Sequence, residues 1–115
     1  MTNTLPTLIG SEKQVNWAND IRNTYIAMLA KATDDTFECA DEYAEGLAVS
    51  AYGREEYDVR LKNAVSAIEM PENGKIPFSM KRKAKHQARM EMMNEVKHKI
   101  EIETSAKWYI DHRII

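Results

Sequence analysis

Apolar residues recur at steps of three and four over most of the chain, which is the period of an α-helix. The first such stripe follows Ser11 and continues to Ala32. Ser11 and Gln14 form the S-x-x-Q pattern of a capping box, in which each side chain satisfies the other residue's backbone N–H. The pattern therefore predicts a first helix that begins after Ser11. Residues 1–10, which contain a proline and a glycine, are predicted to form an extended N-terminal arm.

Two further apolar stripes lie on either side of Gly53. The first is preceded by residues 33–36, whose hydroxyl and carboxylate oxygens are suited to capping a helix. The second runs from Tyr57 to Ile68. Because glycine commonly ends helices, Gly53 predicts a break between a second and a third helix. A single helix that continues through Gly53 is the alternative.

Residues 70–78 are predicted to form an internal loop, because they contain two prolines and an Asn-Gly pair. Ser79 is a suitable cap for the long helix that follows, which runs to about Ile100. Over residues 100–103 apolar and acidic side chains alternate, and both a helical continuation and a short strand fit that pattern.

A last short helix is predicted near the C-terminus, with Thr104 or Ser105 as its cap and Trp108 within it. Together these elements predict an all-α fold. It is a single helical domain over residues 1–115, built as a small bundle of four or five helices with the arm at its start.

The composition is that of a folded, water-soluble chain, since 43% of the 115 residues are hydrophobic and 30% are charged. No apolar run approaches the roughly 20 residues of a transmembrane helix, and the start lacks the pattern of a secretion signal. Cys39 is the only cysteine, which excludes an internal disulfide and disfavours a zinc site. The expected location is the cytoplasm, with no membrane as partner.

The net charge of −2 conceals two opposed blocks. Residues 34–58 contain nine carboxylates and one arginine, whereas residues 75–99 contain eight Lys or Arg and two carboxylates. The simplest interpretation is that the two blocks are solvated faces that partly neutralise each other. Functional interpretations assign a protein-binding face to the acidic block and a phosphate-binding face to the basic block. The candidate residues are Glu38, Asp41, Glu42 and Glu45 in the acidic block, and Lys81, Arg82, Lys85 and Arg89 in the basic block.

The charges of the basic helix 81–89 are interleaved with Ala and flanked by Met instead of by aromatic residues, which disfavours single-strand binding through base stacking. Methionines 90, 92 and 93 are expected to fill the core, or in part to mediate contact between copies of the chain. The apolar residues Ile114 and Ile115 are the other candidates for a homo-oligomer contact.

The sequence offers little for catalysis. His86, His98 and His112 do not have the spacing of a metal site, no spacing suggests a nucleophile with a base and an orienting group, and no glycine-rich phosphate loop is present. The chain is therefore predicted not to be an enzyme and to need no metal or cofactor.

Two terminal segments carry a family resemblance. Residues 10–22 read GSEKQVNWANDIR and residues 103–113 read ETSAKWYIDHR. Together they resemble the terminal motifs of a family of small proteins from phages and mobile elements of Gram-positive bacteria. Tyr109 departs from the family pattern, which usually has a second tryptophan at that position.

The resemblance implies a phage-encoded accessory protein of the host cytoplasm, a class that includes anti-CRISPR proteins. Its expected partner is a host protein or ribonucleoprotein complex, such as a CRISPR effector, bound through the acidic residues above. The alternative is a small nucleic-acid-binding protein that uses the basic helix 81–89. Since the motifs lie at the two ends of the chain, the first and last helices are predicted to pack together. Trp17 and Trp108 are predicted to share one cluster there.

Overall fold

Five α-helices account for most of residues 5–113, the part of the chain that the computed structural model describes. They span Glu12–Ala32 (α1), Ala40–Tyr52 (α2), Arg54–Ser66 (α3), Phe78–Ile102 (α4) and Ala106–Asp111 (α5), and no β-strand is formed within these residues. The predicted all-α class is confirmed. The break at Gly53 is also present, because this residue has a φ of 93°, which an L side chain rarely adopts.

Two of the predicted helix starts are correct and two are wrong. Ser11 and Gln14 form the capping box of α1, and the Ser105 hydroxyl accepts a hydrogen bond from the Trp108 N–H at the start of α5. Ser79 does not cap α4, because that helix already begins at Phe78. Asp34 does not cap α2 either; its carboxylate instead accepts hydrogen bonds from the backbone N–H and hydroxyl of Thr36.

The alternating stretch near residue 100 contains a helix end. Helix α4 continues through Ile102, and Glu103 is the first residue with extended backbone. Glu103 accepts a hydrogen bond from the Ser105 N–H and forms an ion pair with Lys99. Burial by itself raises the pKa of Glu103, but these contacts outweigh it and hold the pKa below its usual range.

The N-terminal arm is held by backbone pairing over its described part. Ile9 and Ser105 form a parallel β-bridge, in which the Ile9 N–H donates to the Thr104 carbonyl at 2.6 Å and the Ala106 N–H donates to the Ile9 carbonyl at 3.1 Å. Leu8 is buried beside this bridge. The segment before α1 is therefore fixed to the segment before α5, and α1 packs against α5 as predicted.

One hydrophobic core joins the arm to all five helices, and α3 contributes one buried residue to it. Three fully buried tyrosines, Tyr25, Tyr57 and Tyr109, are its largest members. Burial and the neighbouring Tyr109 raise the pKa of Tyr25 far above its usual range, and its hydroxyl donates to the carbonyl of His112. The remaining buried members of the cluster are Leu8, Ala18, Ile21, Ala32, Ala44, Leu47, Ala48, Met92, Met93, Val96, Ile100 and Ala106.

The methionines of α4 belong to this core. Met92 and Met93 are buried, and Met90 is partly buried against the same cluster. The interpretation as packing residues is correct, and these side chains do not form an exposed surface for a second copy of the chain. Ile114 and Ile115, the other candidates for such a contact, lie outside the described residues.

The predicted tryptophan cluster is wrong. Trp108 packs on Tyr25 and Tyr109, and the His112 ring stacks on it at 4.5 Å. Trp17 is 48% exposed and lies instead against the guanidinium of Arg113. The reason is helical geometry, because the buried stripe of α1 includes the next residue, Ala18, and adjacent helical residues point about 100° apart.

Helices α3 and α4 form a hairpin that extends beyond the core. The only fully buried residue of α3 is Tyr57, near its start, and no residue of α4 before Ala88 is buried. The chain is accordingly elongated, with extents of 60 × 29 × 22 Å. The first ten residues of α4, which carry four of the eight Lys and Arg residues of the basic block, are therefore largely exposed to solvent.

Candidate nucleic-acid interface

An open groove runs along the N-terminal half of α4, on the side that faces α2. Among its lining residues are five Lys or Arg side chains, one histidine and one carboxylate. These residues are Lys81, Arg82, Lys83, Lys85 and Arg89, with His86 and Asp41; Phe78 and Ser79 complete the lining. The groove is therefore strongly cationic, although the chain as a whole has a net charge of −2.

The cations of the groove come close together because of helical spacing. Lys81 and Lys85 are one turn apart, and both also line a second groove between α3 and α4 that Lys62 joins. Lys81, Arg82, Lys83 and Lys85 are all exposed, and no carboxylate of the described chain lies within 4.0 Å of any of them. Four positive charges are thus available to an anionic ligand.

Arg89 differs from the other three predicted basic residues. Its side chain is only 17% exposed, its Nε–H donates to the Tyr57 hydroxyl at 2.9 Å, and its Nη1 lies 3.6 Å from the Asp41 carboxylate. Burial raises the pKa of Tyr57, while the hydrogen bond from Arg89 opposes the rise. Arg89 consequently connects three helices and is engaged in the fold at the inner end of the groove.

The two charge blocks partly neutralise each other, as the simplest interpretation of the sequence predicts. Asp41 contacts the His86 ring at 3.3 Å as well as Arg89. Arg60, two residues after the acidic block, binds Glu95 of the basic block at 3.0 Å, and the Tyr52 hydroxyl donates to the same carboxylate. The His86–Asp41 and Arg60–Glu95 pairs are partly exposed to solvent, so each of these two is worth about 1 kcal/mol or less.

The four predicted acidic residues do not behave as one face. Asp41 is engaged with the basic block, and Glu45 accepts a hydrogen bond from Arg54 at 3.0 Å. Glu38 lies in the turn before α2 and Glu42 in its first turn; both are exposed, and neither forms an ion pair within residues 5–113. Only half of this set is therefore free to contact a partner.

Phe78 is the groove residue that sequence reasoning missed. It is 74% exposed, and the guanidinium carbon of Arg82 lies 6.0 Å from the centre of its ring. Phe78 precedes the basic run of residues 81–89, so the pattern of residues between the charges does not include it. The available signal was the i, i+4 spacing of Phe78 and Arg82, which places the two side chains on one helix face.

A metal site needs several His, Cys, Asp or Glu side chains that converge on one point. Within the described residues, no three His, Cys, Asp or Glu side chains are grouped in a way that could hold a metal ion. His86 pairs with Asp41, His98 lies on the surface of α4, and the His112 ring stacks on Trp108. Likewise, none of the described helices is long and apolar enough to span a bilayer.

Comparison of the chain with protein-family models, with curated proteins and with solved structures found no match.

Proposed function

We propose that this protein binds nucleic acid through the cationic groove of α4, by contacts to phosphate groups and without chemical reaction. The observation that carries the proposal is that Lys81, Arg82, Lys83 and Lys85 are exposed along one groove without carboxylate partners. A cationic surface of this kind binds phosphates because it releases the counterions condensed on them. Of the four acidic residues that the sequence singles out, only Glu38 and Glu42 are free within the described chain, since Asp41 and Glu45 are already paired.

The test is the affinity for a labelled oligonucleotide at low and at moderate salt, measured by fluorescence anisotropy. We expect affinity to fall steeply as salt rises. The double variant K81A/K85A should bind about tenfold more weakly and lower the slope of log affinity against log salt by about two, which is about one per lost phosphate contact.

The matched control is K13A/K97A, which removes two exposed lysines that do not line the groove. Equal losses in the two double variants would mean that only net charge matters, and the proposal would fail. Binding that does not change with salt would overturn it as well.

A second proposal follows from the family resemblance and from Glu38 and Glu42. We propose that these two free carboxylates contact a basic surface of a host defence complex, such as a CRISPR effector in the host cytoplasm, and inhibit it. The test is the plating efficiency of a targeted phage on an immune host that expresses the protein. We expect the wild type to restore plating and E38K/E42K to abolish the effect, while E55K/E69K, at exposed glutamates outside α2, retains it. Plating that stays low with the wild type would refute this second proposal.

A further inference from the structure

Phe78 is an apolar side chain placed where folding gives it no role. It is the first residue of α4, it is 74% exposed, and it lies outside the hydrophobic core. An exposed phenylalanine forgoes the stabilisation that its burial would provide. What distinguishes Phe78 from the other exposed apolar side chains is its position in the cationic groove, where its ring is available to a ligand.

The surroundings of Phe78 define which ligand fits. The ring lines the same groove as the four free cations, and Arg82 lies over it. A planar group that reaches the ring would consequently find positive charges beside it on Lys81 and Lys85. An unpaired nucleobase attached to its phosphate has both properties, a flat π-face and a neighbouring negative charge.

From this geometry we infer that the nucleic acid bound in the groove is single-stranded and that one of its bases stacks on Phe78. The inference rests on the proposed nucleic-acid function and adds the class of ligand to it. In a duplex the faces of the bases are covered by their neighbours in the stack, so a duplex offers phosphates to the lysines but no free base to Phe78. Single-stranded DNA and RNA share the required chemistry.

The experiment compares single strands with a duplex on the intact protein. The probes are oligonucleotides of about 12 thymidines or 12 uridines, and a DNA hairpin that has a similar number of phosphates and a base-free linker in place of its loop. We expect the wild type to bind both single strands more tightly than the hairpin. F78A should weaken binding to the single strands about tenfold and leave hairpin binding and the salt slope unchanged.

Two variants separate stacking from general hydrophobicity. F78Y keeps an aromatic ring and should retain single-strand affinity. M80A removes an exposed apolar side chain of the same helical turn that does not line the groove, and it should bind like the wild type. Because Phe78 is largely exposed, F78A should have the melting temperature of the wild type, which excludes unfolding as the cause of a loss.

The failures of the two proposals are distinguishable. If no probe binds in a salt-dependent manner, the proposed function itself is wrong. If all probes bind with a steep salt dependence but F78A matches the wild type on single strands, the groove binds phosphates and the stacking inference is overturned. A hairpin bound as tightly as the thymidine and uridine strands would overturn it too. A difference between the two single strands, with F78A weakening both, supports stacking and shows whether DNA or RNA is preferred.

Discussion

Ile9 and Ser105 pair through their backbones although 96 positions separate them in the sequence. The pairing brings Gly10 so close to α5 that a Cβ atom at this position would lie 3.1 Å from the Cβ of Ala106 and 3.0 Å from the Gln14 Oε1. Both distances are tighter than ordinary van der Waals contacts. The glycine is thus needed for the close approach between the two ends of the described chain.

The substitution Gly10→Ala should lower the free energy of unfolding by about 1–3 kcal/mol, because the added methyl group must displace Ala106 or the Gln14 side chain. The matched control is Gly46→Ala. Gly46 lies inside α2, and a Cβ there would meet only the Met28 Cε at 3.6 Å. Removing a helix-interior glycine should therefore stabilise the protein by about 0.5–1 kcal/mol. Chemical denaturation measures both values, and equal effects of the two substitutions would contradict the packing argument.

Arg89 and Lys85 are cations one helical turn apart with different roles. Arg89→Ala removes a mostly buried guanidinium and leaves the Tyr57 hydroxyl without its donor. We expect it to lower the free energy of unfolding by about 1–3 kcal/mol. Lys85→Ala changes an exposed side chain and should alter stability by less than about 0.5 kcal/mol. Thermal or urea unfolding checks this difference; an equally mild effect of Arg89→Ala would show that this residue is dispensable for the fold.

Asp41 is the one carboxylate in the cationic groove, and it holds His86 and Arg89. Asp41→Asn removes a negative charge that repels phosphates, so oligonucleotide affinity at low salt should rise about two- to fivefold. The gain should shrink as salt is added, because exposed charges are screened. Glu45→Gln serves as control, since the Glu45 carboxylate pairs with Arg54 and does not line the groove. A similar gain in both variants would attribute the effect to net charge.

Glu103 gives stability that depends on pH. Its side chain is 14% exposed, and its folded-state pKa is depressed by the contacts to Lys99 and Ser105. A depressed carboxyl pKa stabilises the fold when the group is ionised, and this contribution disappears as pH falls through the folded-state pKa. Glu103→Gln should thus lower the unfolding free energy by about 1–2 kcal/mol at neutral pH and by progressively less below about pH 4.

The control for this experiment is Glu101→Gln, two residues earlier, where the side chain is exposed and forms no ion pair with any described residue. Its unfolding curve should follow that of the wild type at each pH. If the difference between wild type and Glu103→Gln stayed constant down to pH 3, the carboxylate would not be the source of the stability.

Local features of the fold were predictable because their determinants lie within a few residues. The Ser11 and Gln14 pair specifies its helix start within four positions, and Gly53 breaks a helix by its own backbone conformation. The start of α4 was predicted too late in the sequence. Ser79 is a good capping residue by type, but the helix begins at Phe78, with Pro77 at the N-cap position.

The site could be predicted only in part, because its geometry depends on contacts between distant segments. The sequence singles out Lys81, Arg82, Lys85 and Arg89, and the first three are, with Lys83, the exposed cations of the groove. The engagement of Arg89 requires Tyr57 and Asp41, which are 32 and 48 positions away. No pattern within a single helix carries that information.

The uneven distribution of the core along α4 has a consequence for the dynamics of the proposed binding surface. Residues 78–87 contribute nothing to the buried cluster. Residues 88–102, in contrast, contain four of its side chains and the buried Ala88. Amide hydrogens of the first segment should exchange with solvent through local openings that leave the rest of the helix intact. The proposed binding surface then lies on the less protected half of α4. A bound strand would slow hydrogen exchange there. Residues of this half can also be replaced over evolution without unfolding the protein.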